Sequence, residues 1–175
     1  MGRSVQRMVE ATDTFIFLNH TLSDQLRHHV PASKRRVVHN TIDEQVRCTD
    51  AEVEAKIHEK CHQPLRVLYL SNMIESKGYR DVAKAVEQFN ANGNKATVDF
   101  VGDWPSTRAR SRFEEKVNQY VHAGAMQIHG RVTDRARIRQ MMLDADVFAL
   151  PTYYPNEAQP IAIIEMFNAA TPVIA

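Results

Sequence analysis

The alternation of short apolar runs with longer amphipathic stretches constrains the fold of this chain more than any other feature of its 175 residues. From residue 65 onwards, the pattern predicts strands at 65–70, 96–101, 126–129, 147–150 and 173–174. Between these strands it predicts helices at 76–92, 106–123, 133–145 and 160–170, with Phe89 and Val121 on buried faces. Strands and helices that alternate through short connections form a parallel sheet with helices on both faces. We therefore predict a Rossmann-like α/β fold.

The first 64 residues lack this regular alternation. They contain a predicted strand at 15–18, a short helix at 21–29 and a brief strand at 37–38. Thr49 and Glu52 have the spacing of a capping box, which predicts a surface helix from 50 to 60. We divide the chain into a segment at 1–43, a linker helix at 44–64 and the Rossmann-like domain at 65–175. Because the sequence stops as a strand begins, we expect the sheet to be incomplete at its C-terminal end.

The composition is that of a globular protein with little overall charge. Hydrophobic residues make up 43% and charged residues 25%, and the formal net charge is +1. This balance gives no general attraction to nucleic acid, so an anionic ligand must be held by a few local groups. Neither Cys48 and Cys61 nor the eight histidines have a metal-binding spacing, so we expect free thiols and no metal. We find no signal peptide and expect a cytoplasmic protein.

Two glutamates follow the predicted strand at 147–150. Glu157 lies in a loop, and Glu165 lies seven intervening residues later within an otherwise apolar helix. A buried carboxylate is costly unless it accepts hydrogen bonds, and sugar or ribose hydroxyls would supply them. The alternative is that Glu165 lies on a narrow polar stripe and bonds to backbone groups.

A second group of polar residues follows the predicted strand at 65–70. Here Lys77 and Gly78 open a helix, and a helix N-terminus together with a lysine favours phosphate. The alternative for Lys77 is a solvated side chain near a helix start. A third group, Gly130-Arg131-Val132, ends the strand at 126–129, where the glycine allows close approach and Arg131 is otherwise a surface arginine.

The segment 146–154 (DVFALPTYY), the two glutamates and the segment 172–175 (PVIA) closely resemble glycosyltransferase family 4, and the resemblance extends over 65–175. It implies the donor-binding half of a retaining enzyme with the two-domain GT-B fold. Residues 1–43 resemble the end of that family's N-terminal domain and its crossing into the second domain. We therefore expect a truncated chain without most of the acceptor domain.

The resemblance also implies a role for each candidate residue. Glu157 would contact the donor sugar, Lys77 the diphosphate and Glu165 the ribose hydroxyls. Asn72 stands where the family commonly has an arginine, so one expected cation at the diphosphate is missing. The remaining donor-binding candidates act largely through the backbone, and they are Gly78, Gly130, Arg131, Val132, Ala158, Gln159, Pro160 and Ile161.

From these observations we expect Glu157, Glu165 and Lys77 to surround one pocket for a UDP-sugar or GDP-sugar. The expected reaction is transfer of the sugar, with retention of anomeric configuration and without a metal, in polysaccharide or glycoconjugate biosynthesis. The acceptor would be a glycan or a lipid-linked molecule, and association with the cytoplasmic face of a membrane stays open. Two alternatives stay open as well: a non-catalytic nucleotide-binding or scaffold module, and a fragment of a sugar-nucleotide epimerase.

Overall fold

The computed structural model describes residues 3–58, 62–155 and 157–175, which form two compact units. One unit comprises residues 3–41 together with Ala158–Pro160. The other comprises Ile42–Glu157 and Ile161–Ala175. Cys61, which the sequence predicts to be a free thiol, lies outside the described residues.

The first unit is a small α/β arrangement around two parallel strands. Strand β1 (Phe15–Phe17) pairs with β2 (Arg35–Val37), so that Phe15 lies opposite Arg35. Helices α1 (Arg3–Ala11) and α2 (His20–Gln25) complete it. The N–H of Leu22 donates to the side chain of Asn19 at 2.8 Å, and this cap fixes the start of α2.

The second unit contains a five-stranded sheet in which every strand pairs in parallel, in the order β5-β4-β3-β6-β7. The strands are β3 (Leu65–Leu70), β4 (Ala96–Val101), β5 (Met126–Gly130), β6 (Val147–Ala149) and β7 (Val173–Ile174). The helices are α3 (Asp50–His58), α4 (Tyr79–Ala91), α5 (Thr107–His122), α6 (Arg135–Asp144) and α7 (Ile161–Asn168).

Strand β3 lies at the centre of this sheet and is covered on both faces. Its consecutive residues Val67, Leu68 and Tyr69 are all buried. Because successive side chains of a strand point to opposite faces, both faces of the sheet must be packed. The predicted α/β fold, with a parallel sheet flanked by helices, is confirmed.

The predicted capping box also forms as expected at the start of α3. The N–H of Thr49 donates to the Glu52 carboxylate at 2.7 Å, and the N–H of Glu52 donates to Thr49 Oγ1 at 3.3 Å. These two bonds satisfy backbone donors that a helix start otherwise leaves free.

Three sequence predictions about helices need correction. The helix predicted at 76–92 is interrupted by Gly78, whose φ of 80° separates a short 3-10 turn (Glu75–Lys77) from α4. Phe89 and Val121, predicted to face inward, are 41% and 37% exposed. Both lie in the last turns of their helices, where amphipathic periodicity persists although the described chain covers them only in part.

The strand order determines where a ligand can enter. From β3 the chain proceeds outward to β4 and β5, and it then crosses back so that β6 and β7 add on the other side of β3. The helices that follow β3 and β6 therefore lie on opposite faces of the sheet, and a crevice forms beyond the carboxyl ends of these two strands.

Candidate functional site

The loops that follow β3 and β6 approach each other closely at the crevice. The N–H of Tyr153 donates to the carbonyl oxygen of Ser76 at 2.8 Å. At Gly78 the backbones are so close that a Cβ atom would lie 2.3 Å from the carbonyl oxygen of Pro151. Gly78 thus serves two needs, because it adopts a positive φ of 80° and because it makes room for the second loop.

This contact brings Lys77 and Glu157 together although 80 positions separate them in the sequence. The Lys77 ammonium forms an ion pair with the Glu157 carboxylate, and the Thr152 hydroxyl donates to the same carboxylate oxygen at 3.2 Å. The Lys77 nitrogen also lies 4.9 Å from the centroid of the Tyr154 ring. Only 14% of the Lys77 side chain and 22% of the Glu157 side chain are exposed. Lys77 is therefore not the solvated lysine of the alternative interpretation.

Glu165 lies apart from this pair, in the wall of a cavity of about 440 Å³ beyond the ends of β3, β4 and β5. It is buried within α7, and no described residue donates a hydrogen bond to its carboxylate. Burial raises the pKa of this carboxyl group above its ordinary value, although the positive charge of Arg135 opposes that effect. The cavity thus presents a buried acceptor whose hydrogen-bonding capacity is unused within the described chain.

The same cavity is lined by three of the predicted residues that follow β3 and β5. Asn72 follows β3, and Arg131 and Val132 follow β5. Arg131 is 71% exposed and lies 3.9 Å from the Asp103 carboxylate, so it is a surface arginine that also lines the cavity. The loops after β3 and β4 lie close together at Gly102, since a Cβ atom there would lie 1.8 Å from the carbonyl oxygen of Ser71.

Among the described residues, the structure therefore arranges the predicted side chains in two groups. Glu165 lines the cavity, whereas Lys77 and Glu157 are not among its lining residues. Both groups begin on the loop after β3, where Asn72 faces the cavity and Lys77 pairs with Glu157. A ligand that contacts both groups must extend along this loop.

The other candidates have different surroundings. Ala158–Pro160 belong to the first unit, and there Gln159 accepts two hydrogen bonds from Asn40, one at its side chain (3.1 Å) and one at its carbonyl oxygen (2.9 Å). Ile161 is the first residue of α7. Gly130 has a φ of 72°, and a Cβ atom there would lie 3.2 Å from the Arg110 guanidinium.

Three further side chains at the site were not among the sequence predictions. Thr152 and Tyr154 contact the Lys77–Glu157 pair, and Arg135 lines the cavity of Glu165. Thr152 and Tyr154 lie in the loop before Glu157, so their position in the sequence already placed them near the candidate site. Arg135 is one of several arginines on α6, and nothing in its spacing distinguishes it.

Residues 3–58, 62–155 and 157–175 contain no group of three or more His, Cys, Asp or Glu side chains that could hold a metal ion. Within the same ranges no helix is both long enough and apolar enough to cross a membrane. Cys48 is a buried free thiol, and burial raises its pKa.

Comparison with known proteins identifies the family. Residues 50–175 match the family model of the group 1 glycosyl transferases, and the chain belongs to this family. A protein of Bacillus subtilis (strain 168), TuaC, whose name assigns it to teichuronic acid biosynthesis as a glycosyltransferase, is 29% identical over 126 residues. Those residues are 72% of this chain and 28% of TuaC.

Solved structures share the fold at low sequence identity. Anabaena HepE, solved in complex with UDP and glucose, superposes with a TM-score of 0.69 at 16% identity over 100% of this chain and 48% of HepE. A glycosyltransferase from Rickettsia africae ESF-5 gives 0.72 at 17% identity, over 100% of this chain and 48% of its own. Sucrose-phosphate synthase from Thermosynechococcus elongatus superposes with a TM-score of 0.72 at 22% identity, over 97% of this chain and 42% of the synthase. The chain thus spans about half the length of these proteins or less, and the similarity supports a GT-B type of fold.

Proposed function

We propose that this chain is the donor-binding half of a retaining glycosyltransferase of the family 4 type. Its ligand would be a nucleoside diphosphate sugar that lies along the loop after β3. Two observations carry the proposal together: the Lys77–Glu157 pair at the crevice between β3 and β6, and the cavity in which Glu165 is buried with no hydrogen-bond donor among the described residues. A ligand with a phosphate group and paired hydroxyls matches both halves of this arrangement.

Lys77 is the proposed partner of the diphosphate. Its ammonium group has three N–H donors, so it can keep the bond to Glu157 and still donate to phosphate oxygens. Since the leaving diphosphate gains negative charge in the transition state, a fixed ammonium in a partly buried position lowers the barrier electrostatically. This role requires no metal ion, and we propose that the reaction proceeds without one.

Glu165 is the proposed acceptor for the ribose. A carboxylate with two oxygens can accept from the two neighbouring ribose hydroxyls, and this would satisfy a group that burial otherwise penalises. The bonds are made to a charged acceptor and contribute more than neutral ones, roughly 1.5–3 kcal/mol each.

Glu157 is the proposed contact for the donor sugar. Thr152 and Lys77 hold its carboxylate at the mouth of the crevice, and the remaining lone pairs of that carboxylate are open to sugar hydroxyls. Ala158, Gln159, Pro160 and Ile161 would contribute backbone groups near the diphosphate and sugar. Gly130, Arg131 and Val132 would lie near the base.

Uridine is the proposed first choice of base, because HepE has been solved with UDP and with UDP-glucose. We propose that the acceptor, a glycan or a lipid-linked molecule, is held by a second domain, as in a cytoplasmic enzyme of polysaccharide or glycoconjugate biosynthesis. On this view the 175-residue chain binds donor weakly and turns over little by itself. Donor sites of this kind exclude water by closing between two domains.

Calorimetric titration of the chain with UDP, GDP and their sugar conjugates tests the proposal. Lys77→Ala and Glu165→Gln should each weaken binding by roughly tenfold to a hundredfold, since each removes charged hydrogen bonds. Glu114→Gln is the matched control, because this partly exposed glutamate on α5 pairs with Arg110 and does not line the cavity of Glu165.

Binding that is equally tight in all three variants would contradict the assigned roles. No binding of any nucleotide to the folded chain would favour a non-catalytic scaffold. Asn72, in place of the arginine that the family commonly has, would be consistent with that function. Release of an epimerised sugar without acceptor would point to an epimerase. Retention is tested on an isolated transfer product, whose H1–H2 coupling in NMR reports the anomeric configuration.

A further inference from the structure

Charged side chains from four parts of the second unit surround or influence Glu165. Arg135 at the start of α6, Arg131 after β5 and Asp103 after β4 line the same cavity. Asp43, which precedes α3, does not line the cavity but lies 3.5 Å from the Arg135 guanidinium. Glu165 has no charged neighbour within its own helix, α7.

The charge state of Glu165 matters because only the ionised carboxylate offers all of its lone pairs to hydroxyl donors. Burial favours the neutral acid and raises the pKa of the group. The positive charge of Arg135 lowers that pKa, and the negative charge of Asp43 raises it. Asp43 and Arg135 thus act on Glu165 in opposite directions while they pair with each other.

We propose that Arg135 is a positioning residue that keeps Glu165 in its charged, hydroxyl-accepting form, and that Asp43 limits this effect by pairing with the same guanidinium. The proposal rests on the proposed function in so far as it assigns the accepted hydroxyls to a nucleotide. The relation between the three side chains is independent of the ligand. Neither Arg135 nor Asp43 has to touch the donor.

Arg131 provides an internal comparison. It carries the same charge and lines the same cavity, but it is 71% exposed and lies 3.9 Å from the Asp103 carboxylate. Arg135 is 49% exposed. If only the total charge of the cavity mattered, the two arginines would be interchangeable. Because Arg135 is less exposed, water screens its charge less, and we expect Arg135 rather than Arg131 to act on Glu165.

The direct test is an NMR titration of the Glu165 carboxyl carbon in protein labelled with carbon-13 at the glutamate side chains, with Glu165→Gln to identify the signal. Arg135→Ala should move the titration midpoint to higher pH, and Asp43→Asn should move it to lower pH. Arg135→Lys should restore the wild-type midpoint in large part, and Arg131→Ala should leave it unchanged. Circular dichroism confirms that each variant is folded.

A midpoint that does not move in Arg135→Ala or in Asp43→Asn overturns the proposal. An equal shift of the midpoint in Arg131→Ala also overturns the proposal, because the shift would then arise from the net charge of the cavity.

A second measurement separates this inference from the proposed function, with UDP and GDP as the probes. If either binds, the low-pH loss of its affinity should begin at higher pH in Arg135→Ala than in the wild type, and the affinities should converge at alkaline pH. An Arg135→Ala variant that loses affinity equally at all pH values would overturn the role and make Arg135 a direct contact. If the midpoints shift as expected but neither nucleotide binds, the proposed function fails and the charge relation holds.

Discussion

Replacement of Gly78 by alanine should separate the two loops that hold the Lys77–Glu157 pair. The positive φ of 80° alone disfavours a side chain by about 1–2 kcal/mol. The new Cβ atom would also lie 2.3 Å from the carbonyl oxygen of Pro151, where ordinary contacts begin at 3.4 Å, so one loop must move by about 1 Å. Overpacking of this kind costs about 1–3 kcal/mol. The expected loss of unfolding free energy is therefore about 2–5 kcal/mol.

Gly93→Ala is the matched control for this change. Gly93 has a φ of 85°, but apart from its chain neighbours no heavy atom of the described residues lies within 4 Å of the position that its Cβ would occupy. Gly93→Ala should therefore lower the unfolding free energy only by the conformational cost of a positive φ, about 1–2 kcal/mol. The difference between the two variants isolates the close approach of the loops.

Urea denaturation followed by tryptophan fluorescence measures both losses. The single tryptophan, Trp104, packs edge-on against Tyr79, the residue next to Gly78, with ring centroids 5.4 Å apart. Gly78→Ala should also weaken nucleotide binding, while Gly93→Ala should not. Equal destabilisation in the two variants would refute the argument that the loops are held together at Gly78.

Three further predictions concern Glu165 and the start of α3. Glu165→Gln should weaken nucleotide binding yet be at least as stable as the wild type at pH 8 in thermal unfolding. A carboxyl group with a raised pKa stabilises the fold only at low pH, and it loses this contribution as the pH rises through the pKa of the folded state. A clear loss of stability in Glu165→Gln at pH 8 would contradict this. Thr49→Ala should lower the unfolding free energy by about 0.5–2 kcal/mol in urea denaturation, because it removes the helix cap, and an unchanged midpoint would show that the cap contributes nothing. The hydrogen bond from Arg139 lowers the pKa of Glu52 from its ordinary 4.5 to about 2. Glu52→Gln should therefore remove part of the stability that the wild type holds above pH 4.5 and loses as the pH falls towards 2, and identical acid-unfolding profiles for the two proteins would argue against this ion pair.

Much of the fold could be predicted from the sequence because β3 and β4 are apolar runs with clear ends. The predicted strands at 65–70 and 96–101 agree with Leu65–Leu70 and Ala96–Val101. Helix ends were less predictable. Helix α6 begins at Arg135 and not at the predicted residue 133. The side chain of Asp134 accepts hydrogen bonds from two backbone N–H groups and caps the helix there.

The candidate site could be predicted only as separate pieces. The sequence places Lys77 and Glu157 after two different strands, and nothing in their spacing indicates that they pair. That pairing depends on the strand order, which puts β3 next to β6, and on the contact at Gly78. The apolar neighbours of Glu165 indicate burial but also allow a narrow polar stripe, and only the structure decides between them. The effect of Arg135 and Asp43 on the pKa of Glu165 depends on the packing of α6.

The crystal structure of the chain with a bound nucleoside diphosphate sugar, UDP-glucose in the first instance, tests the central claim most directly. We predict that the Lys77 ammonium donates to a phosphate oxygen and that the Glu165 carboxylate accepts from the ribose hydroxyls of the same molecule. A nucleotide that touches only one of these two residues, or that lies away from the ends of β3 and β6, would contradict the account.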